Sequence, residues 1–196
     1  MKKLLLHSFL GLFLSNMLFA QKGNKLNEVA PQLFKNVKTK LTVAEKSQIA
    51  DKLGFILSGN KDQPFAQDKD SKEYPFSASV LPTDMNKDGK EEVFVAFGNT
   101  YTSGNTGSSI ALFIKDATGA YTQHLGFPGM VPEALTTVSK GYPDLLIGGP
   151  GFEFPVLRWN GKTYNLYRKV KDKDYGALKK SGIEDVSKTY QQSLKE

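Results

Sequence analysis

Cysteine is absent from all 196 residues, which excludes thiolate nucleophiles, iron–sulfur clusters, cysteine zinc sites and structural disulfides. Stability must therefore come from a buried core. Tryptophan occurs once and histidine twice, and only His124 lies beyond the leader described below, a thin basis for general-base chemistry. No G-x-S-x-G elbow, H-E-x-x-H helix or phosphate-cradling Gly-Lys-Ser/Thr loop is present, so the hydrolase, zinc-protease and P-loop readings that rest on these motifs lose support. After residue 20 no apolar run approaches the roughly 20 residues that a membrane helix needs. Neither sign of charge dominates: 26 Lys and Arg face 20 Asp and Glu. The basic excess sits late, between Lys162 and Lys180, and reads as a solvated face without the motifs of nucleic-acid recognition. What remains, with 39% apolar residues, is the composition of one ordinary globular domain.

Met1 to Ala20 reads MKKLLLHSFLGLFLSNMLFA. Two early lysines, a mostly apolar stretch and a closing small residue form the pattern of a secretory signal peptide. His7, Ser8, Ser15 and Asn16 interrupt the run that an anchor would require. Cleavage after Ala20 leaves Gln21 first, and without cysteine there the lipoprotein route is closed. The expectation is an exported protein, periplasmic or secreted, with no membrane span.

Residues 21–58 read as a helical arm that packs on the main domain. Thr42-Val43-Ala44-Glu45 is a capping box ahead of a face formed by Ile49, Ala50 and Leu53, and Pro31 breaks or starts a weaker first helix. Residues 59–73 are turn-rich and form a loop. Residues 74–170 change to short β-branched and aromatic runs between turn residues. Eight strands are expected, at 76–81, 92–97, 109–115, 121–125, 134–139, 144–147, 155–159 and 163–168, with Asn160-Gly161 as a type I′ hairpin turn. The tail, residues 171–196, returns to helical spacing through Ile183, Val186, Tyr190 and Leu194. The fold class read from this order is mainly β within α+β: an antiparallel meander of about eight strands, sandwich or propeller-blade-like, with an N-terminal helical arm and a C-terminal helix.

One segment carries chemistry. Asp84-Met85-Asn86-Lys87-Asp88-Gly89-Lys90-Glu91-Glu92 puts oxygen-bearing side chains at loop positions 1, 3, 5 and 9, with glycine at position 6. A hard cation such as Ca2+ takes about six to eight oxygens, and alternating residues of a tight loop point inward to supply them. Asp84, Asn86, Asp88 and Glu92 are the side-chain ligands of this reading, and Lys90 contributes its carbonyl. Position 12 is Val95, where an EF-hand requires glutamate, and a strand follows instead of a helix. The same residues also spell an Asx-turn, in which the side chains bond their own backbone and no ion is involved.

Asp84 to Val95, DMNKDGKEEVFV, resembles the D-x-N-x-D-G-x-x-[DE] loop and apolar strand of FG-GAP, or VCBS-type, repeats. Asp144 to Gly151, DLLIGGPG, is similar to the strand and Gly-Pro turn of those repeats. The resemblance implies a calcium loop between strands of a blade. Over residues 76–167 the chain also resembles small exported β domains of Gram-negative bacteria. In these, the acidic loop and strand precede a C-G-x-G-G-C-type turn and a β meander. Ser103-Gly104-Asn105-Thr106-Gly107-Ser108 occupies that turn here, with serines in place of the cysteines, so the disulfide that would pin it is missing.

Aromatics on Gly-Pro loops are common recognition groups. Phe127, Phe152, Phe154 and Trp159 are the candidate contacts, and the expected partner is an envelope or extracellular protein or glycan. The reading is a non-catalytic recognition or structural module; the alternative is a carboxylate-based or calcium-dependent hydrolase of envelope polymers, using Glu133, Asp144 and Glu153.

Overall fold

The computed structural model describes residues 26–194, so the expected signal segment at 1–20 lies outside the described residues. The capping box forms as the sequence predicts: Thr42 Oγ1 accepts from the Glu45 amide and the Glu45 carboxylate accepts from the Thr42 amide. It starts α2 (Val43–Leu53), which stops at Gly54 in the left-handed conformation. The shorter α1 (Ala30–Leu33) carries Pro31 in its first turn, where the missing amide costs nothing. Two short strands follow, β1 (Ile56–Leu57) and β2 (Phe65–Ala66), paired with each other.

The eight expected strands all form: β3 (Ala78–Thr83), β4 (Glu92–Phe97), β5 (Ser109–Lys115), β6 (Tyr121–Pro128), β7 (Glu133–Ser139), β8 (Tyr142–Leu146), β9 (Glu153–Trp159) and β10 (Tyr164–Lys171). Between β4 and β5 lies α3 (Thr100–Ser103). The tail is less purely helical than its spacing predicts. A short α4 (Asp172–Tyr175) and an edge strand, β11 (Lys180–Gly182), precede α5 (Ile183–Ser193).

The protein is mainly β, with three antiparallel sheets: β1-β2, the four-stranded β3-β4-β5-β6 and the five-stranded β10-β9-β8-β7-β11. The larger two stack. Alternation along β4 and β5 sends Val93, Val95, Ala111 and Phe113 toward the helical arm, where they meet Leu33, Ile49, Phe55 and Phe76. Phe94, Ile110, Leu112 and Ile114 face the other way, onto Tyr142, Leu145, Trp159 and Tyr164 of the five-stranded sheet. Both faces of β4 and β5 are thus covered, which is why they read as unbroken apolar runs. On the far face of the five-stranded sheet, Leu146, Phe154, Val156 and Val170 lie under Tyr175 and Leu178.

Two hairpin turns depart from expectation. Asn160 is not left-handed, as a type I′ turn would require; its Oδ1 accepts from the Lys162 and Thr163 amides, making an Asx-turn in a longer loop. The two-residue turn with both residues at positive φ is Lys140-Gly141, at 48° and 89°, between β7 and β8.

Candidate functional site

The acidic segment is the hairpin loop between β3 and β4, closed by the pairing of Thr83 with Glu92. Its side chains fold back on its own backbone. Asp84 accepts from the Gly89 amide at 3.2 Å, Asn86 from the Asp88 amide at 3.0 Å and Asp88 from the Lys90 amide at 2.8 Å. Gly89 has φ 82° and Lys87 φ 60°, the left-handed steps that turn the chain this tightly.

Glu92 is different from the rest of the loop. It is 1% exposed, with one carboxylate oxygen accepting from the Met85 amide at 2.8 Å and the other from the Tyr142 hydroxyl at 3.1 Å. Burial pushes its carboxyl up to about 7; the Met85 and Tyr142 bonds oppose the rise, and the charges of Asp88 and Asp84 add to it. Because Tyr142 belongs to β8, this cluster joins the hairpin loop of one sheet to the other sheet.

The donor set is all oxygen, as calcium prefers, and each carboxylate has about four lone-pair sites, most of them not used by these bonds. Among the described residues, however, no group of three or more acidic or histidine side chains is gathered to hold a metal ion. Ion binding here therefore requires Asp84 and Asp88 to turn their free lone pairs toward Glu92.

The neighbouring Glu91 points elsewhere. Its carboxylate, 3% exposed as a residue, accepts from the Thr39 hydroxyl, from the Lys40 amide at 2.7 Å and from the Tyr190 hydroxyl at 3.0 Å. Two adjacent glutamates thus tie four parts of the molecule together: the arm, α5, the acidic loop and the second sheet.

The aromatic candidates separate sharply. Phe152 is 87% exposed in the Gly-Pro loop before β9. Phe154 and Trp159 are buried, in the far-face and inter-sheet clusters respectively, and have little surface to offer a partner. Phe127 is partly buried against the inter-sheet core. His124 shares a hydrogen bond with Thr122 and packs on the Trp159 ring, and burial holds its pKa below the usual value.

Glu133, Asp144 and Glu153 each have a separate cation. Asp144, with a side chain 1% exposed, takes two bonds from Arg158 and one from Thr137. Burial alone would raise its pKa, but the Arg158 and Thr137 bonds bring it below the usual carboxylate range. Glu153 pairs with Lys169 on the surface. Glu133 pairs with Lys180 at 3.0 Å and accepts from the Tyr175 hydroxyl.

The chain matches no family model, no curated protein and no solved structure. Among the described residues no helix is long and apolar enough to cross a membrane. Site assignment therefore rests on geometry alone. Three features escaped the sequence reading: the Glu91 clasp, the Tyr142 contact and the Glu133–Tyr175–Lys180 cluster. Each joins residues far apart in the chain, and no local spacing announces such a contact. The one local sign was the Glu-Glu pair at the start of a strand, which sends two carboxylates to opposite faces.

Proposed function

We propose that this protein is an exported, non-catalytic module of the cell envelope whose Asp84–Glu92 loop takes calcium and so braces the two sheets, while its exposed loops recognise an envelope or extracellular protein or glycan. The observation that supports the ion is Glu92. A buried carboxylate beside two further acidic groups is costly unless a cation offsets it, and it lies where a D-x-N-x-D-G-x-x-E loop needs its last ligand. Asp84, Asn86 and Asp88 would contribute side-chain oxygens, Lys90 its carbonyl and Glu92 the carboxylate. Tyr142 would hold Glu92 in place, as a hydrogen-bonded neighbour orients a metal ligand. For recognition, support comes from Phe152 and from Met130, 57% exposed, both on connecting loops of a rigid sheet.

Calorimetric titration with calcium, paired with melting curves in calcium and in chelator, tests the ion. Saturable heat and a stability gain of about 2.7 kcal/mol at a hundredfold excess over Kd are expected, both lost in Asp88→Ala. Identical melting curves at millimolar calcium would leave the loop an Asx-turn.

A further inference from the structure

At the end of the sandwich opposite the acidic loop, a cleft of about 580 Å³ opens between the two large sheets. Strand β4, the serine-glycine turn, the β6–β7 connection, the Gly148-Gly149 segment, α4 and the start of α5 all contribute to it. Met130, Val131 and Ala96 give it apolar surface, the Thr106 and Ser108 side chains border it, and Glu133 and Tyr175 converge on it.

That polar pair is built. Tyr175 donates its hydroxyl to one oxygen of Glu133, while Lys180 donates to the other at 3.0 Å and sits 4.3 Å from the Tyr175 ring centroid. Phe154 packs on the Tyr175 ring, with centroids 4.7 Å apart. Gly148 makes room for the hydroxyl: a Cβ there would stand 2.8 Å from Tyr175 Oη. Both side chains are thus fixed before any ligand arrives, which lowers the cost of binding one.

Resting on the recognition reading above, which leaves the partner as protein or glycan, we infer that this cleft binds a neutral saccharide. The adjacent carboxylate and phenol oxygens keep free lone pairs, spaced to engage neighbouring hydroxyls of a sugar ring, and Met130, Val131 and Ala96 offer apolar surface to its C–H face. Lys180 already balances Glu133, so a cationic ligand gains little. Glu184 at the rim disfavours an anionic one. A wholly apolar side chain would strand the Glu133–Tyr175 pair away from water without new partners. The volume lies within the roughly 300–1,000 Å³ of small-molecule sites, and the fixed Glu133–Tyr175 pair is one compact polar spot, as suits a ring more than an extended peptide.

The test uses the full chain, with chitotetraose and maltotetraose as probes, by calorimetry and saturation-transfer NMR in calcium and in chelator. Saturable binding of at least one tetrasaccharide is expected, weakened about tenfold or more by Glu133→Gln and by the cleft-filling Ser108→Tyr, with melting temperature unchanged for at least one of them. Should Glu133→Gln fail to fold, Ser108→Tyr decides alone. No binding of either sugar at millimolar concentration, or binding that survives the cleft substitutions, overturns the inference. Calcium dependence of melting is read in the same samples, so failure of the ion site and failure of the cleft are separate results.

Discussion

Replacing Ser103 and Ser109 together by cysteine should produce a disulfide that stabilises the protein. The two hydroxyls share a buried hydrogen bond of 2.8 Å, so the side chains already point at each other, and the longer C–S bonds bring two sulfurs within bonding reach. The residues stand six apart in sequence. Closing so short a loop confers about 2 kcal/mol in the chain-entropy account, or roughly 4–8 °C in melting temperature for a chain of this size. The turn around them is already ordered: Asn99 caps α3 through the Tyr101 and Thr102 amides, and the Thr106 hydroxyl bridges the Ser103 and Ser108 carbonyls, so the native strain to be overcome is small. Thiol titration, mass analysis and melting curves with and without reductant provide the assay. Pairing Ser103→Cys with Ser108→Cys is the control. It should give no such gain, because Ser108 lines the cleft and is not the partner of Ser103. Thiols that stay free under mild oxidation, or an oxidised protein that melts no higher than the reduced one, would refute the reasoning.

Asp144→Asn should cost about 2 kcal/mol at neutral pH, since bonds to a charged group are lost at a site 1% exposed. The native pKa of Asp144 lies below its ordinary 3.8, so its contribution is complete above about pH 4 and disappears as pH falls through the native value; urea unfolding at several pH values should show a smaller acid loss in the variant. Tyr142→Phe removes a donor from buried Glu92 and should lower the urea midpoint by the equivalent of about 2 kcal/mol without changing the slope.

The eight long strands were legible because β4 and β5, buried on both faces, read as apolar runs, while the others show β-branched and aromatic residues bounded by turn residues. Strands β1, β2 and β11 have two or three residues each, too few for a period to register. The turns misled for a specific reason. Lys140 takes up a left-handed conformation beside Gly141, although lysine carries no such signal, while Asn160 uses its side chain as an acceptor and so does not need positive φ. The acidic loop could be read by spacing, since its ligands are local. Tyr142 lies fifty residues from Glu92, and the cleft draws on six segments, so both emerged only once the sheets were stacked.

The Glu91 clasp bears on the order of folding. Its carboxylate waits for Thr39 from one direction and Tyr190 from the other, 52 and 99 residues away. A chain synthesised from its N-terminus has the arm and the first sheet in hand long before Tyr190 appears, and until then a charge meant for the interior must stay hydrated. Thr39 and Lys40 supply two of its three bonds from the arm, and the third, from Tyr190, forms only once the last helix has arrived. Such a molecule completes its interior late, with its last helix.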